Sequence, residues 1–221
     1  MNFLEQIIAS KITFTIILLT SITSIIAFPP NVRSIESVRK PEWFGRFKFN
    51  AFAIFKHKQV YRIVSYGFIH GDWMHLAFNM ITLYFFGGLV EQTFELLFGT
   101  LGGIVYVGFY VLALVVSSIQ DLITHRNHSY YNAVGASGAV SAVLFAAILF
   151  QPDMKLFFIL IPIPITAWIF GIIYLIYSVV MSRKNLDNIG HTAHFWGAVF
   201  GFVFPLFFYP RLIILFFERL F

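Results

Sequence analysis

Gly135-Ala136-Ser137-Gly138 opens a stretch that runs through Val140, Leu144, Phe145 and Ile148 to Gln151 and carries no charge before Asp153. From Ala133 to Gln151 it spans about 19 residues, nearly all Ala, Val, Leu, Ile or Phe, long enough to cross the hydrocarbon as a helix. Ser137 falls in the first turn of that helix. Glycines on either side let the backbone bend into the helix and let a neighbour approach, which is how a Gly-x-Ser-Gly element exposes a hydroxyl. A packing face of small residues, Gly135, Ser137, Gly138, Ser141 and Ala142, accounts for the same composition. The partner residues decide between the two.

Around this stretch the 221-residue chain is 59% hydrophobic, 19% aromatic and only 11% charged. Those proportions exclude a soluble globular domain and describe an all-α polytopic membrane protein. The excess of 15 Lys and Arg over 10 Asp and Glu suits anionic lipid headgroups. No aromatic and basic nucleic-acid motif accompanies it, so the bilayer, not a nucleic acid, is the expected partner. Cysteine is absent, which removes disulfides, thiolate zinc sites and a cysteine nucleophile.

Apolar runs place six spans, at about 12–28, 72–90, 101–118, 133–151, 165–181 and 190–209. Lys11 and the lack of a small-residue cleavage site read the first as a retained helix, ended by Pro29 and Pro30. The first loop, 29–71, interleaves Arg33, Arg39, Lys40, Arg46, Lys48, Lys56, Lys58 and Arg62 with Trp43, Phe44, Phe47, Phe49, Phe52 and Phe55. Rings mixed with long cationic side chains belong at the headgroup level. Ile161-Pro162-Ile163-Pro164 breaks any continuous helix before the fifth span.

The second span carries His75 and Asn79 on one helix face, with His70 just before it. Polar side chains at membrane depth are costly and face the protein interior, where they pair structurally or work. Glu91 closes that span and is read as capping or pinning a loop. In the sixth span His194, Gly197 and Gly201 lie on one stripe, and Gly-x-x-x-Gly lets another helix come close. If that helix is the serine helix, Gly138 meets it and Ser137 hydrogen-bonds His194, whose neutral imidazole accepts the hydroxyl proton. His191, one turn earlier, is read as orienting its neighbours.

What is missing narrows the chemistry. Asp72, Asp121, Asp153 and Asp187 all fall at span ends or in loops, so a paired-aspartate protease lacks its acids. No His-Glu-x-x-His is present, so neither a metal nor another cofactor is expected. With no deep carboxylate to complete a triad, a Ser-His pair remains, leaning on oxyanion donors of the type His75, Asn79 and backbone N–H groups supply.

Taken together, these motifs resemble those of the rhomboid intramembrane serine proteases in their six-helix bacterial form. His70-x-x-x-x-His75-x-x-x-Asn79 is similar to the family's second-helix motif, Gly135-Ala136-Ser137-Gly138 to its nucleophile motif, and Ala193-His194-x-x-Gly197-x-x-x-Gly201 to its base motif. The resemblance implies one membrane domain over 1–221 with Ser137 as nucleophile, His194 as general base and acid, and His75 and Asn79 as oxyanion donors. It implies structural support from His70, Arg62, Glu91, Gly135, Gly138, Gly197 and Gly201. Tyr61-Arg62 is similar to a Trp-Arg pair in the family's first loop, and Glu91 occupies a position that braces this loop. One departure is Ser141, where many members carry a ring that stacks on the base, so here His194 is held less firmly or by another ring.

The resemblance implies a bacterial inner membrane, cytoplasmic termini and a site opening to the outside. Charge disagrees, because that orientation keeps only Lys11, Lys155, Arg211 and Arg219 of the 15 cations inside. The expected activity is cleavage of other proteins' transmembrane segments. A non-catalytic rhomboid-like binding protein and a transporter relaying protons through His70, His75, His191 and His194 are the alternatives.

Overall fold

The computed structural model describes residues 10–28, 42–158, 161–184 and 190–220. Pro29, Pro30, Arg33, Arg39, Lys40 and Asp187, cited above, lie outside the described residues. Six long helices dominate: α1 (Lys11–Ala27), α2 (Trp73–Phe98), α3 (Gly102–Thr124), α4 (Ser137–Phe150), α5 (Ala167–Lys184) and α6 (His191–Phe208). Short helices Glu42–Phe47, Ala51–His57 and Arg62–Ser65 form the described part of the first loop, and Leu212–Glu218 follows α6.

The packing is that of a bundle in lipid, with small and polar residues inward and large apolar ones outward. In α1 the buried stripe is Thr13, Ile16, Thr20, Ser24 and Ala27. Its opposite face leaves Leu18, Ile22, Ile25 and Ile26 between 46% and 62% exposed. That surface would be insoluble in water and is ordinary against acyl chains. Among the described residues, three helical runs have the length and apolarity to cross a membrane: Trp73–Thr124, Ala167–Lys184 and His191–Phe208. The first is 52 residues long and covers α2 and α3, which Gly99 separates at φ +58°. Helices α1 and α4 are shorter apolar elements of 17 and 14 residues.

Helix α4 is the centre of the molecule. Every residue from Gly138 to Phe150 is buried, enclosed by α2, α3 and α6. The helix begins at Ser137 itself and not at Ala133, because Phe49 and Ala133 exchange backbone hydrogen bonds of 3.0 and 3.2 Å as an antiparallel bridge. Fourteen residues rise about 21 Å, less than the hydrocarbon thickness of about 30 Å. A helix this short does not by itself span the hydrocarbon.

The all-α expectation fails at one place. Lys155–Phe158 (β1) and Ile161–Thr166 (β2) pair antiparallel, with Lys155 opposite Thr166 and Leu156 opposite Ile165. The prolines that rule out a helix are tolerated on a strand whose outer edge has no partner. Helix boundaries also move: α2 continues to Phe98 and α3 to Thr124, beyond the apolar runs. Phe94 is fully buried among Phe109, Phe150 and Phe204, with centroids 5.3–6.2 Å apart.

Candidate active site

Helix α6 lies on α4 at backbone contact. A Cβ built on Gly197 would stand 2.0 Å from the Gly138 carbonyl oxygen, and one on Gly201 2.0 Å from that of Ala142. On Gly138 the same addition would meet Ser117 Oγ of α3 at 2.3 Å and the Ala193 carbonyl of α6 at 3.4 Å. Three helices therefore converge on Gly138, and any side chain there would drive them apart. Ser137 precedes Gly138, and His194 stands one turn before Gly197 and next to Ala193. The two residues thus come from facing turns of α4 and α6, and both are only half-buried.

The approach to Ser137 is fixed by Gly135 and the segment before it. Gly135 has φ +113°, a conformation side chains avoid. A Cβ there would also strike the His75 ring, 2.3 Å from Cε1 and 2.6 Å from Nε2. The Gly135 N–H donates to the Tyr66 carbonyl at 3.0 Å. Asn50 holds the preceding residues, its Nδ2 donating to the carbonyls of Ser129 and Tyr131 at 2.9 and 3.0 Å. Its Oδ1 accepts from Ala53 N at 2.7 Å and so caps Ala51–His57. The first loop and the segment leading to Ser137 are joined by these polar contacts.

A second network sits behind His75. Asn79 Nδ2 donates to the His75 carbonyl at 3.0 Å, and since a carbonyl only accepts, this orients the amide. The other Nδ2 hydrogen goes to His70 Nε2 at 3.0 Å, which also accepts the Ala136 N–H at 3.4 Å. His70 therefore carries its proton on Nδ1 and donates to Ser24 Oγ of α1 at 3.0 Å. Burial pushes His70 down to about 3, with His75 adding to the fall and Asp72 opposing it. Asp72 in turn caps α2, accepting from His75 N at 2.8 Å. Both Asn79 N–H hydrogens are engaged in this arrangement, so donation to a developing oxyanion requires that one be shared or released.

His194 has a ring beside it. Tyr174 of α5 lies nearly parallel to His194, centroids 6.2 Å apart at 26°, and its hydroxyl is 2.6 Å from Ser141 Oγ. His191 meets His194 edge-on at 5.9 Å. The site so assembled holds Ser137, His194, His75, Asn79, His70 and the glycines 135, 138, 197 and 201.

Residues 57–211 match the profile of the Rhomboid domain. The chain belongs to the rhomboid family. In Arabidopsis thaliana, RHOMBOID-like protein 12, mitochondrial, is 30% identical over 165 residues, covering 69% of this chain and 49% of that protein. Rhomboid-like protein 11, chloroplastic, is 29% identical over 157 residues, covering 65% of this chain and 50% of that protein. The chain spans about half the length of these rhomboid relatives. Their names are organellar, which gives the expected bacterial inner membrane no support.

Two residues expected as support make their contacts away from Ser137 and His194. Arg62 is buried and pins the first loop, donating from Nε to Gln59 Oε1 at 2.6 Å and from one terminal nitrogen to the carbonyls of Gly45 and Lys48 at 2.9 and 2.7 Å. Glu91 does not brace that loop among the described residues. Its carboxylate accepts from Ile12 N, Thr13 N and Thr13 Oγ1 at 2.9, 2.8 and 2.7 Å, capping α1 at the far end of the bundle. Asn50 and Tyr174 went unnoticed in the sequence. Asn50 had a legible signal, an N-cap asparagine ahead of an apolar helix, whereas Tyr174 had none, because its role depends on which helices adjoin.

Proposed function

We propose that this rhomboid protein is an intramembrane serine endopeptidase with six membrane crossings. Ser137 attacks a peptide carbonyl in or beside another protein's transmembrane helix, and His194 takes the hydroxyl proton and returns it to the leaving amine. His75, Asn79 once it releases one hydrogen, and the N–H groups at the start of α4 stabilise the oxyanion. The observation that carries the reading is the backbone contact of Gly138 with Gly197, which supports a meeting of the adjoining Ser137 and His194. The rhomboid-like names of the relatives leave a non-catalytic binding role as the competing reading.

The test is incubation of the purified protein with a panel of labelled transmembrane substrates and with a fluorophosphonate. Wild type is expected to cleave and to be labelled at Ser137. Ser137→Ala and His194→Ala should each abolish both, and the double variant should be no worse than either. Folded wild type that neither cleaves nor labels would favour the binding role.

A further inference from the structure

Ser141 lies one turn after Ser137, and its hydroxyl hydrogen is committed, donating to the Ser137 carbonyl at 2.8 Å. The 2.6 Å contact between Ser141 Oγ and the Tyr174 hydroxyl therefore has one direction: tyrosine donates and serine accepts. A short relay results, from Tyr174 O–H to Ser141 Oγ and from Ser141 O–H to the carbonyl of Ser137. The opposite side of the same tyrosine is the ring that lies beside His194 at 6.2 Å and 26°. One side chain thus lies beside His194 and is linked through Ser141 to the Ser137 carbonyl.

The rest of α5 is built to present that ring. Its buried residues are Ala167, Gly171 and Ser178, and Tyr174 falls between the last two on the same stripe. Phe145 and Phe170 pack on the phenol at 5.6 and 5.9 Å. A ring clamped between aromatics and tethered at its hydroxyl has little rotameric freedom to lose. Yet α5 is the most peripheral of the spanning helices, with 17% of its span buried against 28% for α6.

We infer that Tyr174 is the positioning residue for His194, a ring supplied by α5 and locked by Ser141. The inference rests on the reading of Ser137 and His194 as a catalytic pair. It makes the orientation of the base depend on α5 staying against α4, which a ring borne on α4 itself would not do.

Three variants separate the ring from the hydroxyl. Tyr174→Leu removes both and is expected to lower kcat about ten-fold or more with KM within about two-fold, because a base held loosely is misaligned in the transition state. Its pH–rate profile should shift on the limb reporting His194. Tyr174→Phe breaks only the tether, Ser141→Ala breaks the tether and the bond to the Ser137 carbonyl, and each keeps the ring and should cost less than Tyr174→Leu. Their double variant should match Ser141→Ala, since the bond that Tyr174→Phe deletes is already absent there. Thermal melts keep unfolding apart from misalignment, and Tyr174→Phe retains the packing volume.

An imidazole NMR spectrum of 15N-histidine protein, with the His194 signal assigned by its loss in His194→Ala, reads position without activity. Tyr174→Leu should move that signal and Tyr174→Phe should move it little. A folded Tyr174→Leu variant with wild-type kcat, pH profile and His194 signal would overturn the inference. Should wild type prove inactive, a signal that still moves sustains the placement while the proteolytic reading falls.

Discussion

Gly197→Ala adds one methyl group to a residue that touches no reacting atom in the proposed mechanism, and the structure sets what it must do. The new carbon would stand 2.0, 2.8 and 3.1 Å from the carbonyl oxygen, carbonyl carbon and Cα of Gly138. Ordinary contact begins at 3.4 Å, so α6 and α4 must separate by about 1.4 Å. No flexible side chain can yield instead, since every atom in the way is backbone. A Ser-His hydrogen bond needs heavy atoms within about 3.2 Å, and 1 Å of misplacement costs about 100-fold in rate. Turnover is therefore expected to fall by about two orders of magnitude, with a loss of stability of about 1–3 kcal/mol from overpacking. Val203→Ala, on an exposed position of the same helix, is the control. Phe200 would be a poor one, because it stacks on Phe109 at 5.6 Å and 17°. Cleavage of a labelled transmembrane substrate and thermal melting in detergent are measured side by side. Near-wild-type turnover in a folded Gly197→Ala protein would refute the claim that this contact sets the dyad's geometry.

Asn79→Ala should lower turnover by about ten- to a thousand-fold with little change in KM, the range for losing an oxyanion donor; normal turnover would leave Asn79 as a clasp for His70 alone. Asn50→Ala should weaken both stability and activity, since three contacts to residues 129–132 go with its Nδ2; limited proteolysis should then cut that segment, and unchanged protection would count against its role. His70 is neutral when folded, down to about 3, whereas the free imidazole protonates near 6.5. The unfolded chain therefore binds the extra proton, and melting temperature should fall as pH drops from 6.5 toward 4. His70→Gln should flatten that slope, and an equally steep slope in the variant would assign it elsewhere.

Much of the site was legible because its chemistry needs particular residues at helical spacing. His194, Gly197 and Gly201 share a stripe whatever the tertiary fold, and Gly135 and Gly138 are small for reasons that any close approach to Ser137 imposes. Apolarity also located the helices, since a bilayer demands it of every crossing. It could not show where α4 starts, because Ala133 to Ala136 are as apolar as the helix they precede. What excludes them is pairing with Phe49, more than 80 residues upstream. The β-hairpin was hidden for a similar reason: Ile161-Pro162-Ile163-Pro164 announces the end of a helix, and its partner strand settles what replaces it. Glu91 was readable as a cap but not as the cap of α1, since spacing along the chain says nothing about which helix start lies beside it.

That cap has a consequence for how the chain is made. The first N–H groups of α1 lack partners within their own helix, and in hydrocarbon such groups are costly to leave bare. Two of them, on Ile12 and Thr13, find theirs in a carboxylate about 80 residues later in the chain. During synthesis α1 emerges long before that carboxylate exists. The pairing is made when α2 comes to lie alongside α1, where Glu91 accepts from three donors. The two helices are in this sense tied at one end by a single carboxylate.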